Sequence, residues 1–78
     1  MSQRTKKAMP CYYEVFLKLM SHGREIGRTC VQIEAASPFM ASLKANEIID
    51  RRYGEETLAR TLRVSQISLD EFLYVNAA

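Results

Sequence analysis

The chain has 78 residues, 47% of them hydrophobic and 26% charged, and a formal net charge of +2. That length holds one core and leaves no room for a second domain. A chain so short buries only about 60–65% of its unfolded surface, so self-association is an expected source of added stability.

No apolar run approaches the roughly 20 residues of a membrane span. The basic start MSQRTKKAMPC leads into a strand-like stretch rather than the apolar block of a secretory signal. A cytoplasmic protein with no membrane partner is the expectation. Residues 1–10, polar, basic and closed by Pro10, read as a disordered arm, and residues 11–78 as a single domain.

From Cys11 onward Tyr13, Val15, Leu17 and Leu19 alternate with Tyr12, Glu14, Lys18 and Met20, the period of a strand. A second strand is predicted over Gly27–Ala35. A two-residue His22–Gly23 turn would set Leu17 against Arg28 and mix the faces, whereas a three-residue loop, His22–Gly23–Arg24, pairs Tyr13 with Ile33, Val15 with Val31 and Leu17 with Thr29. The three-residue loop is therefore the expectation. Tyr13, Val15, Leu17, Leu19, Val31 and Ile33 then form the core face, and Glu14, Phe16, Lys18, Met20, Ile26, Arg28, Cys30 and Gln32 the outer one.

A helix follows, with Ser37 as N-cap, Pro38 in its first turn and Gly54 as its stop. Its inward stripe is Ala41, Ala45, Ile48, Ile49 and the stem of Arg52, widened by Tyr53, with Phe39 and Leu43 at the margin. After Gly54, TLRVSQIS reads as a third strand, with Leu62 and Val64 alternating against Arg63 and Ser65. Ser68 and Glu71 then form a capping box that opens a short helix with Leu69, Phe72 and Leu73 inward, though FLYV suits a fourth strand as well. The predicted fold class is α+β: β-β-α-β with a short C-terminal helix or fourth strand, one antiparallel sheet packed on one main helix.

A competing pattern covers Glu56–Val75. Leu58-Ala59, Leu62, Val64, Ser65-Gln66, Leu69 and Phe72 together resemble the helix-turn-helix of bacterial and phage repressors. The resemblance implies a DNA-binding regulator with residues 58–67 helical and with Ser65 and Gln66 reaching base edges. Arg63 departs from it, because the pattern has glycine there and the turn favours a left-handed backbone.

The residues speak against catalysis. His22, the single histidine, sits in a turn with no nucleophile and carboxylate arranged around it. Cys11, Cys30 and His22 are one ligand short of a structural zinc site. In the expected register Cys11 faces Ala35 and Cys30 faces Phe16, about 16 Å apart and too far for a disulfide. Gly23, Gly27 and Gly54 have neither phosphate-loop nor dinucleotide spacing. The expectation is a non-enzymatic protein with no catalytic, metal or cofactor site and no small-molecule substrate.

Two surfaces suit binding. On the outer hairpin face Lys18 lies opposite Arg28, a like-charge pair that asks for an anion, with Arg24 beside it. Phe16 and Tyr12 add aromatic surface of the kind that stacks single-stranded nucleic acid. The same face carries Tyr12, Phe16, Met20, Ile26 and Cys30, an apolar patch for the C-terminal segment, a second copy or another protein to cover. The second surface is Arg51, Arg52, Arg60 and Arg63 with the basic arm, six or so cations suited to phosphates. Glu47, Asp50, Glu55 and Glu56 interrupt it, and helical pairs such as Glu47–Arg51 account for much of it as a solvated face. The resulting expectation is a small binding, adaptor or regulatory protein of a kind mobile elements or phages encode, homodimeric through the exposed sheet face; the alternative is the DNA-binding regulator.

Overall fold

A computed structural model describes residues 10–77, so the expected arm falls outside the described residues except for Pro10. The order is β1 (Cys11–Ser21), β2 (Arg24–Ala35), α1 (Pro38–Tyr53), β3 (Thr57–Ile67) and α2 (Leu69–Ala77). The three strands form one antiparallel sheet in the order β2-β1-β3, with β1 in the middle. The architecture is α+β.

Alternation along β1 divides the sheet into two faces. Tyr13, Val15, Leu17 and Leu19 are buried together with Val31, Ile33 and Ala35 of β2 and with Ala41, Ala45 and Ile49 of α1. The two alanines, one turn apart, let the helix lie close on the strands. Ile48, Ala59, Val64 and Cys11 close the margins of this core. Ser37 accepts a hydrogen bond from the Met40 backbone N–H at 3.2 Å, and Pro38 starts the helix where a missing N–H costs nothing. Gly54 ends it at φ +84°, a backbone that only glycine adopts without strain, while donating its N–H to the Asp50 carbonyl at 2.9 Å.

The hairpin corrects one expectation. The register along its body is as expected, Tyr13 to Ile33, Val15 to Val31 and Leu17 to Thr29. The loop is nevertheless the two-residue His22–Gly23 turn, with φ of 52° and 78°, the positive pair that a type I′ turn requires. A bulge reconciles the two. Leu19 faces Gly27 and Met20 faces Glu25, so Ile26 is the extra residue that restores the faces, and β2 starts at Arg24 rather than Gly27.

The third strand is longer than expected, because Thr57 and Ala59 pair with Ser21 and Leu19 and line the core side as far as the hairpin end. It also carries a bulge. Phe16 faces Arg63 and Leu17 faces Thr61, which leaves Leu62 unpaired and 47% exposed rather than inward. Residues 57–67 are thus strand throughout, and the helix-turn-helix geometry is absent. Arg52 and Tyr53 of α1 are exposed rather than part of its inward stripe, and Phe39 and Leu43 stand outside the core.

Candidate functional site

The outer face is built by residues that the core leaves over. Along β1 they are Tyr12, Glu14, Phe16, Lys18 and Met20. Their partners on β2 are Glu34, Gln32, Cys30, Arg28 and Glu25, and on β3 Ile67, Ser65, Arg63, Arg60 and Leu58. Residues opposite one another share a face, so the register sorts this surface into two ends of different chemistry.

One end is roofed and acidic. The Glu71 backbone N–H donates to Ser68 Oγ at 3.1 Å and the Ser68 N–H donates to Glu71 Oε1 at 3.0 Å, the reciprocal capping box, so the C-terminal segment is helix α2 rather than a fourth strand. This helix sets Phe72 on Tyr12 with ring centroids 4.7 Å apart. Of the occupants expected for the outer patch, the C-terminal segment is the one seated on Tyr12, which is half-buried. Leu69 and Leu73, expected inward, are 47% and 54% exposed, because the helix touches the sheet along the Phe72 line. Gln32 Nε2 donates to Glu14 Oε2 at 3.1 Å and lies 3.5 Å from Cys30 Sγ. Burial, reinforced by the hydrogen bond and charge of Glu14, pushes the Cys30 thiol up to about 11 against the opposing pull of Gln32 and Arg63.

The hairpin end is basic. Lys18 stands directly between Arg28 on β2 and Arg60 on β3, one cation on each strand of the sheet. One pair along β1, Arg63 lies over the Phe16 ring with its guanidinium carbon 4.4 Å from the centroid, a cation–π contact. Glu25 donates nothing and accepts from Arg28 Nε at 2.7 Å. That hydrogen bond holds the Glu25 carboxyl below its ordinary range, with burial opposing and the charges of Arg28 and Lys18 adding. Lys18 and Arg28 thus share the field of the Glu25 carboxylate.

The structure groups the expected residues differently from the sequence reading. Phe16, Lys18, Met20, Arg28 and Cys30 do share one face, and Ile26 is exposed at the bulge on its rim. Arg24 pairs with Ser21, out of phase with Lys18. The cluster of Arg51, Arg52, Arg60 and Arg63 is split, since α1 carries its pair on the core side while β3 places Arg60 and Arg63 on the outer side. Ser65 faces Glu14 and Gln66 faces Tyr13, so adjacent residues of one strand turn to opposite faces and cannot read one base edge together. The addition of Arg60 and Arg63 to the hairpin face was missed. Its signal lies in the strand alternation of β3, but only if that alternation is interrupted at Leu62.

Among the described residues no group of three or more His, Cys, Asp or Glu is placed to hold a metal ion, and no helix is long and apolar enough to cross a membrane. Cys11 and Cys30 are not disulfide-bonded. His22 is exposed, with its Nε2 3.7 Å from the Glu56 carboxylate. A depression of about 440 Å³ at Pro10, Glu34, Ala35, Ala36 and Lys44 has its ammonium engaged by the Glu34 carbonyl at 2.9 Å. No protein-family model matches the chain, and no curated protein or solved structure shows significant similarity to it.

Proposed function

We propose that this protein is a non-enzymatic binding module whose working surface is the hairpin end of the outer sheet face, and that the surface takes an anionic partner. The observation that carries this reading is the row Arg28–Lys18–Arg60 across all three strands. Like charges directly opposite one another on neighbouring strands are destabilising. Glu25 already answers Arg28 and acts on Lys18, and an anion laid across the row would answer the charge that one carboxylate leaves over.

The same charges argue against the exposed sheet face as a self-association surface. A second copy stacked on it would bring Lys18, Arg28, Arg60 and Arg63 of both copies together with the hairpin ends superposed, and would meet α2 with the ends reversed. The DNA-binding alternative loses its helix-turn-helix but keeps these cations, now on a sheet.

The test is anisotropy with a labelled 12-unit abasic deoxyribose-phosphate strand, which offers phosphates without bases. Neutralising three phosphates gives a slope of log K on log salt of about −2, nearly a 20-fold loss between 50 and 200 mM. Lys18→Glu abolishes the binding. No binding at 50 mM, or binding indifferent to Lys18→Glu, overturns the reading.

Self-association finds separate support on another surface. Ser42 Oγ and Thr61 Oγ1 lie 2.8 Å apart, which fixes one flank of α1 along β3. Phe39, one turn before Ser42 on α1, is 69% exposed, and Leu43, one turn after Phe39, is exposed as well. Together with Leu62 on the edge strand β3 they are apolar surface away from the outer sheet face, where a second copy would leave the cationic face open. Sedimentation equilibrium of the wild type and of Leu43→Lys tests this: a dimer that the lysine dissociates supports it, and a wild-type monomer at about 100 μM rejects it.

A further inference from the structure

We infer that the anionic partner is a single-stranded nucleic acid, with a base stacked at the Phe16–Arg63 pair and phosphates on Lys18, Arg28 and Arg60. This rests on the reading of the face as an anion site and adds what the anion must be. A row of cations alone would suit any polyanion. What narrows the choice is the planar pair beside it. Phe16 sits on the central strand, and the Arg63 guanidinium lies over its ring at 4.4 Å while the side chain as a whole remains exposed. Arg63 is exposed while its guanidinium lies over the ring, so an unpaired base can stack on the guanidinium or replace it on the ring.

The spacing also fits. Phe16 and Lys18 are successive outward residues of one strand, about 7 Å apart, and the cationic row runs across the strands for about 10 Å. Stacking and phosphate groups are therefore neighbours on one surface, the combination that single-strand binding uses. In a duplex the bases are already stacked and paired, so the Phe16–Arg63 pair would go unused; an acidic peptide would engage the row but has no planar group for the stack. The opposite end of the sheet carries Glu14 and Glu34 and leads into Asp70 and Glu71, charges that keep a phosphate chain at the hairpin end.

The experiment compares four labelled probes on the full chain at 50 mM salt: a mixed-sequence 12-nucleotide single strand, the abasic 12-unit strand, the corresponding duplex and a 12-residue polyglutamate. The single strand should bind about 5- to 100-fold more tightly than the abasic strand, the span expected of one stacked base. Phe16→Leu should reduce that preference to near unity, read as the ratio of single-strand to abasic affinity for the same variant. Arg63→Ala, at an exposed position where folding is not at stake, should lower the preference as well. Equal binding of single and abasic strands overturns the inference and leaves the anion reading standing. Duplex or polyglutamate bound as tightly as the single strand does the same, and binding of none of the four removes both. A preference that survives both Phe16→Leu and Arg63→Ala also overturns the inference, since the stack then lies elsewhere.

Discussion

The two faces of β1 are made by the same eleven residues and end in opposite conditions. Its odd-numbered residues from Tyr13 to Leu19 meet α1 and are buried, whereas Phe16, Lys18 and Met20 are only half covered, between two edge strands that set Arg28, Arg60 and Arg63 on this face. On the inner face each side chain is accounted for by the area it removes from water. The outer face has only part of such an account, because its hairpin end is half covered at most and aligning like charges there does not assist folding. A surface whose composition folding does not explain is the one to read for function.

The sharpest way to break that contrast is to damage each face and compare the losses. Leu17 is fully buried at the centre of the core, so Leu17→Ala should destabilise the chain by about 2–5 kcal/mol in chemical denaturation. Because a domain this small has little stability to spare, anion binding should disappear with the fold. A milder change separates the two ends of the outer face. Phe72→Ala takes away the ring that rests on Tyr12, and the expected loss is about 1–2 kcal/mol, below that of a buried phenylalanine. Amide exchange should quicken in α2 and stay slow in β1. If Phe72→Ala weakened anion binding as much as Lys18→Glu does, the roofed end would belong to the site after all.

A third substitution reverses the usual sign. Lys18→Met keeps the stem of the side chain and removes the charge flanked by Arg28 and Arg60, so stability should rise by about 0.2–1 kcal/mol while binding of the abasic strand falls. Thermal denaturation and anisotropy on the same sample measure both. A residue whose removal stabilises the fold and costs binding is held for the binding. Loss of stability in Lys18→Met would mean instead that the ammonium contributes to folding, most directly through Glu25, and the contrast between the faces would weaken.

How much of this could be read from the residues follows from the reach of each signal. The core face was legible, since the alternation of β1 and the pairing of Val31 and Ile33 against it leave one consistent register. Helix α1 was legible at both ends, where Ser37, Pro38 and Gly54 each have a local backbone reason to be there. The bulges were not. At Ile26 a type I′ turn and the body of the hairpin each demand a register, and the conflict is settled by one extra residue that no local propensity marks. At Leu62 the same device turns Arg60 outward, and without it the alternation back from Val64 would have pointed Arg60 into the core. The candidate site depends on that second bulge. Lys18 opposite Arg28 was visible from the hairpin alone, but its third cation and the Arg63–Phe16 contact required pairing across 40 residues and more.

The smallest expected effect tests whether the two faces are independent of the turn that aligns them. His22 holds φ at 52°, a left-handed backbone that costs a β-carbon-bearing residue and that asparagine tolerates better. Asn-Gly is the favoured pair for a type I′ turn, so His22→Asn should raise stability by about 0.5 kcal/mol, read as a shift in the denaturation midpoint. The imidazole it removes is exposed, 3.7 Å from the Glu56 carboxylate, a surface contact that contributes little. Binding should not change, because neither the Arg28–Lys18–Arg60 row nor the Phe16–Arg63 pair touches the turn. Should His22→Asn alter the affinity for the abasic strand, the register set by the turn and the Ile26 bulge would be adjustable, and the alignment of Arg28 with Lys18 would be one of several states rather than a fixed property of the sheet.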